Sequence, residues 1–219
     1  PDYESPPGVI RERDKTQPDQ EILANEQSLA LILKGVPPGQ SRQAVKYYTY
    51  RPLDLFNYRQ MKMFVYGDRR WGTLAARPQS FFRFGLDSLN FYEYRGPVYP
   101  GWDARNEILI KFSDLTAIKQ LRDSTKIRIV RVVDGDTVMY RVVGNPSLTQ
   151  VRYLAAGVTN RDLQPLYGQL WYNELRLTEV DDTPGWAYRF DAQVKLADLG
   201  TVSFNYSKVD PNFHTLEQR

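Results

Sequence analysis

The chain has 219 residues and 25.5 kDa, room for one large domain or two small ones; its mean hydropathy of −0.54 and lack of any long apolar run exclude a transmembrane helix. Lys plus Arg number 29 against 26 Asp plus Glu, a net charge of +3 that is too balanced to argue for nucleic acid despite a pI near 9.0. Cysteine is absent and histidine occurs once, as His214, which excludes disulfide scaffolds, Cys-rich or His-rich zinc sites and thiol catalysis, and leaves a single candidate for a Ser-His-Asp triad.

A membrane β-barrel stays within these bounds, because its alternating strands escape hydropathy averages. Residue 1 is Pro, with no initiator Met and no signal-like stretch, so a processed chain or a piece of a longer one is expected. Residues 1–25 carry Pro and charge without an apolar period and read as an extended lead-in. From Ser28 the texture changes to short runs rich in Val, Ile, Phe and Tyr: SLALILK, QAVKYYTY, MKMFVYG, SFFRFGLD, NFYEYRG, EILIKF, KIRIVRVV, DTVMYRVVG, VRYLAAGV and GQLWYNELRLT. Turn residues separate them, notably Pro37-Pro38-Gly39, Asp134-Gly135 and Gly144-Asn145-Pro146. Asp134-Gly135 predicts a tight hairpin, since such a turn needs positive φ. One helix is predicted over Phe112–Arg122, capped by Ser113 or Asp114 with Leu115, Ile118 and Leu121 on one face, and a weaker turn at Leu53–Arg59. The fold class is all-β: a jelly-roll-like β-sandwich over residues 26–178 with one or two short helices.

The sharpest pattern follows. Trp186, Tyr188, Phe190, Ala192, Val194 and Leu196 alternate with Arg189, Asp191, Gln193 and Lys195, and after Asp198-Leu199-Gly200 the alternation resumes with Val202, Phe204 and Tyr206. Side chains on a strand point to alternate faces, so residues 185–209 form an amphipathic β-hairpin, with residues 210–219 as a tail. A tilted membrane strand needs ~9–11 residues and a sandwich strand averages ~5–6, so the hairpin is either a pair of barrel strands or an edge of the sandwich. In the first case Trp186, Tyr188, Phe190, Val194, Leu196, Val202, Phe204 and Tyr206 face lipid.

Five blocks carry a family resemblance: Pro6-Pro-Gly-Val-Ile-Arg-Glu-Arg-Asp14, Asn25-Glu-Gln-Ser-Leu-Ala-Leu31, Leu170-Trp-Tyr-Asn-Glu-Leu-Arg-Leu-Thr178, Gly185-Trp-Ala187 and Lys195-Leu-Ala-Asp198. They are collinear, span nearly the whole chain, and resemble the SprA/Sov family of giant outer-membrane proteins of gliding motility and type IX secretion in Bacteroidetes. The resemblance implies a segment of a very large barrel that translocates folded cargo, with soluble β-rich domains between sets of barrel strands. It further implies a Gram-negative outer membrane, with the sandwich periplasmic or at the cell surface. Implied partners are secreted cargo, a PorV-type barrel and a periplasmic plug protein; no nucleic-acid partner is expected from the charge balance.

Other candidate sites compete with plainer roles. The block Leu170–Thr178 places Leu170, Tyr172, Glu174 and Arg176 on one face and Trp171, Asn173, Leu175 and Leu177 on the other, the two Leu expected inward. It resembles the last strand of galactose-binding-type jelly rolls, where oxygen ligands hold a structural Ca²⁺; by analogy Asn173 or Glu174 pairs with Asn25 or Glu26. Otherwise these residues hydrogen-bond their neighbours, and no other cofactor is expected. Trp71 and Trp102, flanked by turn-like residues, are candidates for a surface platform with Arg69, Arg70, Tyr47, Tyr48 and Tyr50, either for sugar, which would make the chain a carbohydrate-binding module, or for stacking single-stranded nucleic acid. No carboxylate pair, nucleophile elbow, phosphate loop or EF-hand is recognisable, so the chain reads as non-enzymatic.

Overall fold

The computed structural model describes residues 5–9, 28–121, 126–180, 185–198, 200–210 and 213. The lead-in and tail lie largely outside these residues, as do Asn25, Glu26 and His214. The chain divides into two compact units, Pro1–Val180 and Asp181–Arg219.

In the first unit the ten apolar runs become ten strands: β1 Leu29–Val36, β2 Ser41–Tyr47, β3 Tyr58–Gly67, β4 Gln79–Asp87, β5 Asn90–Pro97, β6 Ile108–Lys111, β7 Ile127–Val133, β8 Asp136–Val143, β9 Tyr153–Thr159 and β10 Leu166–Val180. They build an all-β sandwich from a four-stranded sheet, β1-β10-β3-β6, and a six-stranded sheet, β2-β9-β4-β5-β8-β7, with every pairing antiparallel. The chain passes repeatedly from one sheet to the other, as in a jelly roll, so most pairs join residues distant in sequence.

One core fills the space between the sheets. Met61, Met63 and Val65 of β3 and Leu170 and Tyr172 of β10 meet Phe82, Phe84, Tyr92, Tyr94, Tyr140 and Val158 from the opposite sheet. Buried hydroxyls need acceptors, and here they tie the layers together. Tyr172 donates across the core to the carbonyls of Gly157 (2.6 Å) and Phe81 (3.2 Å), and Tyr140 to that of Leu109 (2.7 Å). Burial pushes the Tyr140 hydroxyl up to about 12.

Asp134-Gly135 forms the predicted hairpin turn between β7 and β8, with φ of 48° and 83° and Val133 opposite Asp136. The helix is shorter than predicted: α1 spans Phe112–Lys119, and Leu121 lies beyond it, exposed. The chain enters α1 directly from β6, so Lys111 is the N-cap and neither Ser113 nor Asp114 caps. Both fall in the first turn instead, where Asp114 lies 3.5 Å from Arg128. Within residues 53–59 there is a turn rather than a helix: the Tyr58 N–H donates to the Leu55 carbonyl at 3.1 Å and the Asp54 carboxylate accepts from the Phe56 N–H, while Tyr58 and Arg59 already belong to β3; short 3₁₀ turns occur at Arg69–Thr73 and Ala104–Asn106.

The strand β10 does not keep the predicted two-face alternation. Its register against β3 shifts between Asn173 and Arg176, where Glu174 takes a φ of 50°. This bulge moves the core-facing positions from even to odd numbers, so Leu177 packs on the core while Leu175, expected inward, is exposed.

The second unit is a hairpin of β11 Ala187–Leu196 and β12 Gly200–Val209, paired with each other and with no other described strand.

Candidate functional site

The register of the hairpin decides its chemistry. Phe190 lies opposite Tyr206, Ala192 opposite Phe204 and Val194 opposite Val202, while Arg189 faces Ser207, Asp191 faces Asn205 and Lys195 faces Thr201. Even-numbered residues of both strands therefore share one face. That face is apolar apart from Lys208 at its end opposite Tyr188, and it is crossed by ring contacts between Tyr188 and Tyr206 (5.9 Å) and between Phe190 and Phe204 (6.0 Å). The opposite face carries charge, with Arg189 donating to Asp191 at 2.6 Å. Trp186 precedes β11, and its carbonyl accepts from Asp210 N–H, extending the ladder by one rung.

All eight residues predicted to face lipid are exposed, Phe190 at 58% and Trp186 at 72%. Full burial of a Val, Leu or Phe side chain brings about 1.5–3 kcal/mol, and this face realises little of it among the described residues. Among the described residues each strand also has one unpaired edge, and an isolated two-stranded hairpin is marginal in water. Each strand is 10 residues long. At ~3.3 Å per residue and a 45° tilt it rises ~23 Å, close to the ~25 Å apolar band of an outer-membrane barrel.

The other predicted site residues are not brought together. Trp71, expected on a surface loop, is 3% exposed, its indole N–H donating to the Tyr167 carbonyl at 2.8 Å. The cause is Asp68, which caps the 3₁₀ turn at Arg70 N–H and accepts from Gln169 N–H at 3.0 Å, so the turn is bound beneath β10. Gly168 allows this approach, since a Cβ there would come within 2.6 Å of the Asp68 carboxylate. Trp102 is half-buried against Tyr66 (5.3 Å), which stacks on Trp171 at 4.3 Å, on the outer side of the four-stranded sheet. Tyr47 lies against Tyr153 in the other sheet, so the proposed aromatic platform of Trp71, Trp102 and Tyr47 is not assembled.

The candidate calcium residues are engaged with one another. Asn173 is buried, its side-chain oxygen accepting from Glu174 N–H at 2.9 Å, and the Glu174 carboxylate lies 3.4 Å from Arg176. Glu26 and Asn25 lie outside the described residues, among which no group of three or more His, Cys, Asp or Glu has the geometry of a metal centre.

One cluster escaped sequence reasoning. On the outer side of the six-stranded sheet Glu93, 2% exposed, is surrounded by Arg83, Arg95 and Arg141. Burial works to raise its pKa, but the guanidiniums, Arg95 foremost, outweigh that and hold it below the usual carboxylate range. The sequence does place each of these residues opposite core aromatics, as in Phe82-Arg83-Phe84 and Tyr92-Glu93-Tyr94. That alternation was the available signal; the pairing that gathers them is non-local.

No helix among the described residues is long and apolar enough to cross a membrane, which says nothing of strands. Compared with curated proteins, the chain matches none. The family model SprA_N, described as motility related/secretion protein, matches residues 2–219. The resemblance read from the five sequence blocks is thus matched over practically the full length, by a family of secretion and motility proteins rather than of enzymes, and the chain belongs to the SprA_N family.

Proposed function

We propose that the chain is a structural segment of an outer-membrane translocon of type IX secretion and gliding motility, with β11 and β12 in the barrel wall and the sandwich as a docking surface. The observation that carries the reading is the register of the hairpin, which collects every alternating apolar residue of both strands on one exposed face. Tyr188, Phe190, Val194, Leu196, Val202, Phe204 and Tyr206 then meet acyl chains, with Trp186 at the interfacial level, and Arg189, Asp191, Gln193 and Lys195 face a watery lumen. Two strands cannot close a barrel, so the remaining strands belong to other parts of a longer chain. The work is mechanical: shaping the conduit and presenting the sandwich to secreted cargo, a PorV-type barrel or a periplasmic plug protein. No catalysis is assigned.

The test is a charge comparison in the full-length parent. On the lipid side of a barrel an Arg near the midplane costs ~2–4 kcal/mol, and on the lumen side little. Phe190→Arg and Val194→Arg should lower assembled protein in the outer membrane and secretion of a reporter, while Asp191→Arg should be mild. Equal damage from Asp191→Arg would overturn the face assignment.

A further inference from the structure

The cluster around Glu93 has more positive charge than the fold uses. Strand register aligns Val45, Ala155, Arg83, Glu93, Arg141 and Ile127 in a single row across all six strands. Arg95, from the neighbouring row, turns back to the same carboxylate at 3.4 Å. Three guanidiniums thus share one carboxylate. Its Oε2 accepts from Arg83 Nε, Arg95 Nη2 and Arg141 Nη2, and its Oε1 from Arg95 Nε. Beyond these, Arg83 donates to Gln43 Oε1 (3.4 Å) and Arg95 to Thr159 Oγ1 (3.1 Å), while Arg141 Nε lies 3.3 Å from Glu93 Oε1 as an ion pair without hydrogen-bond alignment.

The guanidiniums lie on the sheet rather than project from it. Arg83 sits 4.4 Å from the Phe81 ring centroid and 4.9 Å from that of Phe91, and Arg141 is 5.8 Å from Phe91. The row ends in the exposed apolar residues Val45 and Ile127. No described element of the first unit forms a further layer on this face.

We propose that this row is a docking site for an acidic polypeptide segment, whose carboxylates take the guanidinium N–H groups left over by Glu93. Charge complementarity selects the occupant, because a carboxylate matches the planar fork of arginine and restores neutrality to the surplus of two positive charges. A polypeptide fits better than a membrane surface. The charges lie low between apolar row ends, where an extended chain of mixed acidic and apolar residues reaches both, whereas a headgroup plane needs projecting cations. The inference deepens the docking role proposed for the sandwich and rests on it, but it is independent of the hairpin's location.

The experiment is fluorescence anisotropy of a labelled hepta-glutamate peptide with the 219-residue chain, with hepta-glutamine as control. Binding should be specific for the acidic peptide and weaken as salt rises. Arg141→Gln should weaken it by at least about tenfold, with Arg141→Lys intermediate because the charge remains and the fork is lost. Melting curves establish that each variant is folded, and Arg141→Lys carries the comparison if Arg141→Gln is not. Absence of hepta-glutamate binding, binding indifferent to both variants, or Arg141-dependent binding to phosphatidylglycerol vesicles without peptide binding would each overturn the proposal. None of these results bears on the comparison of Phe190→Arg with Asp191→Arg.

Discussion

Glu93 illustrates how a buried charge is tolerated in this sandwich. Taking a carboxylate out of water costs several kcal/mol unless it is paired and hydrogen-bonded, and three guanidiniums do both here. Removing the charge while keeping the shape, as in Glu93→Gln, should cost about 3 kcal/mol at neutral pH, near the low end for breaking a buried pair. The folded pKa of Glu93 lies below its unfolded value of about 4.3. Its stabilisation is therefore fully present above that value and lost as pH falls through the lower folded one. Urea midpoints of wild type and Glu93→Gln should differ at pH 7, hold that gap down to about pH 4.3, and narrow it only as pH falls further. A gap independent of pH would show that the substitution acts through packing. Trp71 teaches the converse lesson. Its Arg-Trp-Gly context reads as an exposed loop, and what buries it is a capping carboxylate, Asp68, that reaches β10 some hundred residues away, a contact no local pattern reveals.

At the scale of elements, strand existence was legible and strand geometry less so. All ten apolar runs are strands because period-2 alternation and turn chemistry are local properties, and the Asp134-Gly135 turn follows from two residues alone. The bulge in β10 was not legible: nothing near Glu174 demands positive φ, and the extra residue is set by the partner strand β3. Because the bulge reverses the faces, Leu177→Ala should destabilise by ~2 kcal/mol, at the low end for a partly buried Leu. Leu175→Ala should stay within ~0.5 kcal/mol. Chemical denaturation of the two variants checks this, and equal losses would mean that the register shift is misplaced. In the hairpin no bulge intervenes, so the faces read from sequence and the faces in the register agree residue by residue.

On the scale of the whole molecule the two units differ in what covers their apolar surface. The sandwich buries its own between two sheets, with Tyr172 joining them across the core. The hairpin, taken by itself, leaves the apolar side chains of one face uncovered, and a larger assembly or a membrane would cover them. Membership of a secretion and motility family agrees with an element built for such an assembly. The central claim is that this cover is lipid. It is tested by nitroxide labels on single Cys residues introduced at positions 190, 191, 193 and 194 of the full-length parent in reconstituted membranes. Collision with molecular oxygen, which partitions into acyl chains, should be high at 190 and 194, and collision with a polar nickel complex high at 191 and 193. Labels at 190 and 194 shielded from oxygen and nickel alike would place that face in protein and contradict the account.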